Sequence, residues 1–103
     1  MLRHVVMFKT REMLAEDKTL AIGKLKEAID ALEREVPQVK FLQTGINFNT
    51  RPQAFDLVLI SDFESEEDLD IYRDHPQHQR VMDIIREAVD QVHVVDFYLK
   101  PER

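Results

Sequence analysis

The chain contains no cysteine, so disulfides, thiolate nucleophiles and cysteine-ligated zinc are excluded from its chemistry. Only two glycines occur among 103 residues. A phosphate-cradling loop or a dinucleotide fingerprint needs several glycines close together, so nucleotide chemistry is not expected. Basic residues are the minority, 14 against 20 acidic, and the formal net charge of −6 opposes the attraction to phosphate on which nucleic-acid binding mostly rests. No nucleic-acid partner is expected. Long apolar runs are also missing, none approaching the roughly 20 residues that span a bilayer. The opening Met1-Leu2-Arg3-His4-Val5 enters a strand pattern at once and lacks the segments of a signal peptide. The expectation is a cytoplasmic protein with no membrane anchor.

What remains is a soluble globular composition, 44% hydrophobic and 33% charged, with enough length for one modest core. Residues 1–103 are expected to form a single domain. Arg3 to Lys9 reads as a strand with His4, Val6 and Phe8 on one face and Val5 and Met7 on the other. From about Ala15 to Val36 the stripe Ala21, Leu25, Ala28, Ile29, Leu32 and Val36 predicts one long amphipathic helix, ended by Pro37 and lacking a clear cap at its start. Val39 to Phe48 is a second strand, in which Gly45 marks a possible bulge. A polar loop leads to a third strand over Phe55 to Phe63, and the two form a hairpin. Ser65-Glu66-Glu67-Asp68 has the form of a capping box and opens a second helix. Val92 to Leu99 is the last strand, again apolar on both sides.

The order strand, helix, strand, strand, helix, strand is that of an α+β, ferredoxin-like βαββαβ fold, with a four-stranded antiparallel sheet covered by helices on one face. Two helices cover only one face, yet Val5, Met7, Val58, Ile60, Val95 and Phe97 fall on the other. Left in water, they would make an apolar patch larger than monomers normally tolerate. A homodimer burying sheet against sheet is the economical solution.

The stretch Tyr72-Arg73-Asp74-His75-Pro76-Gln77-His78 interrupts the second helix. Proline disfavours a helical conformation for His75 and suits the first position of a new helix, so the helix should break and restart there. His78, Val81, Met82, Ile85 and Val89 then share a buried stripe. On an unbroken helix Tyr72 and His78 would lie about 120° apart; the break lets them converge. Such a pair suits acid and base chemistry, with His78 removing a proton next to a carbonyl and Tyr72 donating to the developing oxyanion. That chemistry needs neither metal nor cofactor. The same residues also read as a core aromatic and a buried histidine bonded to a nearby carbonyl. The expected pocket lies between sheet and helices. Its strand walls are His4, Val6, Leu42, Leu57 and Leu59, and its helix walls are Leu25, Ile29, Tyr72, His78, Val81, Met82 and Ile85. It suits a small, largely apolar carbonyl compound. His75 and His78 form a His-x-x-His pair without further ligands at tetrahedral spacing, and the acidic run Glu64, Glu66, Glu67 and Asp68 reads as a solvated helix start. No metal site is expected.

On Arg3-His4-Val5-Val6-Met7-Phe8-Lys9, Phe63-Glu64-Ser65, Tyr72 with His75-Pro76-Gln77-His78, and Val95-Asp96-Phe97, the chain resembles the stress-responsive A/B barrel domain (Dabb) family of the dimeric α/β barrel superfamily. The likeness covers nearly the full length. It implies a homodimer whose two sheets face each other as a barrel. In olivetolic acid cyclase-type members, which close a linear polyketide by aldol condensation, a catalytic tyrosine and histidine fall on Tyr72 and His78, and a strand-one pocket histidine falls on His4. A strand-three histidine of those members is replaced here by Leu57. The resemblance thus implies a cofactor-free cyclase, lyase or isomerase, or alternatively a noncatalytic stress-related ligand-binding or interaction module.

Overall fold

Four strands, β1 (Leu2–Thr10), β2 (Phe41–Ile46), β3 (Leu57–Phe63) and β4 (Val89–Tyr98), pair in the order β2-β3-β1-β4 in the computed structural model, which describes residues 1–101. Every pairing is antiparallel, and the arrangement is ferredoxin-like. The register decides which side chains face the helices. His4 lies opposite Ser61 on β3 and Asp96 on β4, and Val6 lies opposite Leu59 and Val94. Leu2, His4, Val6, Phe8 and Thr10 are all buried, while the alternate residues Val5 and Met7 turn to the other face. A slip of one residue would exchange the two sets, so burial of one face pins the register.

The predicted helix over 15–36 is two pieces, α1 (Ala15–Asp30) and α2 (Leu32–Glu35). The joint falls between two carboxylates tied to β2: Asp30 accepts from Thr44 Oγ1 at 2.6 Å, and Glu33 accepts from the Leu42 backbone N–H at 3.2 Å. Leu25, Ile29, Leu32 and Val36 still share the buried stripe. The start of α1 has no side-chain cap, in keeping with the sequence there. Gly45 is not a bulge. It stays in register opposite Val58, where an added Cβ would lie 3.3 Å from Val58 Cγ1, so glycine admits a close approach between the strands. The register shift lies instead between Lys9 and Thr10, against β4.

The second helical region is α3 (Glu66–Asp74) followed by α4 (Pro76–Ala88). Ser65 Oγ accepts from the Asp68 N–H at 3.1 Å, as the capping sequence requires, and three acidic residues occupy the first turn. With α1 the helices cover one side of the sheet. On the other side Val5, Met7, Val58, Ile60, Val95 and Phe97 are half-buried or exposed, joined by Phe41. Arg3 closes one end of this face through a bidentate pair with Asp62 at 2.7 and 2.9 Å and lies over the Phe41 ring. No helix among the described residues is long and apolar enough to cross a membrane.

Candidate functional site

The site begins with a break in helical hydrogen bonding. Extended backbone at His75 (φ −64°, ψ 138°) ends α3, and Pro76 starts α4 without an N–H to offer. In a continuous helix the Gln77 N–H would bond the Arg73 carbonyl. Here it bonds His75 Nδ1 at 3.1 Å, so the histidine side chain serves as the cap of α4. The Arg73 carbonyl is released and accepts instead from His78 Nδ1 at 3.0 Å and Gln79 Nε2 at 2.9 Å. A carbonyl can only accept, so His78 carries its proton on Nδ1 and, when neutral, leaves Nε2 as a bare lone pair.

The break brings Tyr72 and His78 together, with ring centroids 4.6 Å apart and planes inclined at 57°. His4 is the third ring of the cluster, 6.2 Å from Tyr72. All three line one cavity of about 420 Å³ between the sheet and α4, within the size range of small-molecule sites. Tyr72 is only 1% exposed, and among the described residues its hydroxyl has no hydrogen-bond partner. Among the described residues no fully buried polar side-chain atom lacks a partner, so this hydroxyl is not completely enclosed, and Tyr72 lines the cavity. Burial pushes the Tyr72 phenol above its ordinary pKa and holds the His78 imidazole below its own. Near neutrality, therefore, Tyr72 is protonated and His78 is a free base.

His4 is fixed from the sheet. Its Nδ1 lies 2.5 Å from Asp96 Oδ1, and the other carboxylate oxygen accepts from Arg73 Nη2 at 2.9 Å. Arg73 therefore joins the two histidines, its side chain holding the partner of His4 and its carbonyl holding His78. Sequence reasoning gave Asp96 no role in the site. The available signal was register, since antiparallel pairing of the first and last strands sets Asp96 directly across from His4.

Of the expected pocket residues, His4, Val6, Ile29, Leu59, Tyr72, His78, Val81, Met82 and Ile85 line this cavity. Leu25, Leu42 and Leu57 do not. They are buried in the hydrophobic core. Phe8, Arg73, Gln79, Arg86, Val92 and Val94 complete the walls. Phe8 shares the face of His4 and Val6, and Val92 and Val94 stay exposed because the helices do not reach fully over the edge strand. The His75 and His78 side chains make separate local bonds, and no group of three metal-ligating side chains occurs among the described residues.

Comparison with known proteins gives a consistent frame. Residues 2–99 match the family described as Stress Responsive A/B Barrel Domain. A curated uncharacterized protein of Streptomyces coelicolor is 30% identical over 87 residues, covering 84% of this chain and 89% of its own length. Among solved structures, a dimeric protein of unknown function with a ferredoxin-like fold from Bacteroides fragilis superposes with a TM-score of 0.87 at 28% identity, covering 95% of each chain. A hydroxynitrile lyase from Passiflora edulis superposes with a TM-score of 0.80 at 17% identity, over 99% of this chain and 95% of that one, which is a likeness of fold.

Proposed function

Because the chain belongs to the Stress Responsive A/B Barrel Domain family, we propose that it is a homodimer joined through the open sheet face, each subunit carrying a cofactor-independent acid–base site for a small carbonyl compound. His78 is the base. Its Nε2 takes a proton from the carbon next to the carbonyl, and the electron pair moves onto the carbonyl oxygen. Tyr72 donates its O–H to that oxygen as charge develops, and His4, oriented by Asp96, adds a second imidazole to the same cavity. The resulting enolate can attack a second carbonyl of the same molecule, an aldol-type closure, or be reprotonated elsewhere, an isomerisation.

The observation that carries this reading is the orientation of His78. Its Nδ1–H is committed to the Arg73 carbonyl, so the free ring nitrogen is available beside a phenol that lacks a partner among the described residues. A hydroxynitrile lyase on the same fold is compatible with an enzyme on this scaffold; the residues support the chemistry independently of it. The test is a turnover screen with linear polyketide-like ketones on the wild type, His78→Ala and Tyr72→Phe. Losing a positioned general base should lower turnover by about 10²–10⁴-fold, with the dimer and its melting temperature nearly unchanged. Unchanged turnover in His78→Ala, accompanied by a large loss of stability, would refute it.

The bond from His78 to the Arg73 carbonyl also favours a second reading. It replaces a lost helical bond, so His78 would serve the joint between α3 and α4 in a noncatalytic ligand-binding or interaction module. In that case Tyr72→Phe would bind the same compounds as the wild type, and no compound would be turned over.

A further inference from the structure

The cavity is apolar along its length and cationic at one rim. His78, Met82 and Ile85 of α4 run along one wall, and Arg86 lines the cavity near the end of the same helix. The helix rises about 12 Å between His78 and Arg86. Arg73 also lines the cavity, but its two terminal nitrogens are engaged by Asp70 and Asp96. Arg86 is different. Only Nη1 is engaged, by Asp83 at 2.6 Å, and among the described residues Nη2 and Nε have no partner. Both members of that pair are mostly exposed, so it is weakly held and easily shared. A guanidinium with an unused edge is shaped to take a carboxylate through two parallel hydrogen bonds. Of the other lining residues, Val92 and Val94 supply apolar surface from β4, and Gln79 gives its amide N–H to the Arg73 carbonyl.

We propose that the ligand of this cavity is an elongated apolar carboxylate whose anionic end rests on Arg86 and whose reacting carbonyl lies at Tyr72 and His78. The inference rests on the reading of the cavity as a ligand site and adds the class of molecule and its direction. The apolar walls take up the intervening chain, and the separation of rim and rings selects for length.

The probes are 9-oxodecanoate, which carries a ketone and a carboxylate at opposite ends of its chain, and its uncharged methyl ester. Affinities are measured by calorimetry on wild type and Arg86→Gln, with the His78 imidazole followed by NMR. The expected result is that the acid binds wild type at least about tenfold more tightly than the ester, that Arg86→Gln weakens the acid alone, and that both compounds shift the His78 signals. Equal affinities for acid and ester in the wild type, or a preference that survives Arg86→Gln, would overturn the anionic class while the shifted His78 signals leave the ligand site standing. If neither compound moves His78, both this inference and the reading of the cavity fall together.

Discussion

The Arg73 carbonyl accepts a 3.0 Å hydrogen bond from His78 Nδ1 because the Gln77 N–H that would otherwise fill it is taken by the His75 ring. One proline thus sets the tautomer of a histidine two residues later. The helix break is chemical as well as geometric, since it releases the carbonyl that leaves His78 Nε2 bare.

His78 should impose a pH dependence on stability. Burial holds its folded pKa below the ordinary value, so on acidification the unfolded chain takes up this proton first. The associated stability is fully present above the ordinary histidine value and is lost as pH falls through it toward the depressed folded value. Melting temperatures of wild type and His78→Gln between pH 8 and 5 should show a steeper fall in the wild type; parallel curves would contradict the assignment.

Tyr72→Phe should be nearly neutral for folding. The hydroxyl has no partner among the described residues, so removing it breaks no hydrogen bond, and a change within about 0.5 kcal/mol is expected in chemical denaturation. Tyr72→Ala, by contrast, empties a fully buried ring position and should cost about 3–5 kcal/mol. Any substrate whose turnover depends on the oxyanion donor should be lost in Tyr72→Phe despite intact stability.

Asp96→Asn removes the charge shared by His4 and Arg73 while keeping the side-chain shape. Weakening two charge-assisted hydrogen bonds at a part-exposed position should cost about 1–2 kcal/mol. The ring of His4 should lose its fixed orientation, visible as averaging of its NMR signals. A rigid His4 ring in this variant would show that packing against Phe63 and Tyr72 holds it instead.

A charge placed on the open sheet face should split the proposed dimer. Ile60→Asp puts a carboxylate among Val5, Val58 and Val95, where pairing of two such faces would bury it without a partner. Sedimentation or light scattering should report a monomer. A dimer of unchanged affinity would move the interface elsewhere.

Much of this was legible in the chain because it depends on neighbours in sequence. The helix break at His75 and Pro76, the Ser65 cap and the two-faced strands follow from local backbone preferences and from periods of two and 3.6. Less legible were the joint between α1 and α2, where side chains reach across to β2, and the regular pairing at Gly45, where strand contact rather than glycine itself decides. In the pocket, helical and strand periodicity identified inward-facing residues without separating the cavity walls from the packed core, so Leu25, Leu42 and Leu57 could not be told from Ile29 and Leu59.

By itself, then, the sequence determined the order of the elements, the βαββαβ fold and the helix break that lets Tyr72 and His78 converge, since each rests on patterns a few residues long. Only the tertiary structure decided that Asp96 holds His4, that Arg73 links both histidines and that Arg86 reaches the cavity rim. Those relations join side chains from different elements, and their geometry is created by strand register and by how far α4 covers the edge strand, which no local pattern encodes.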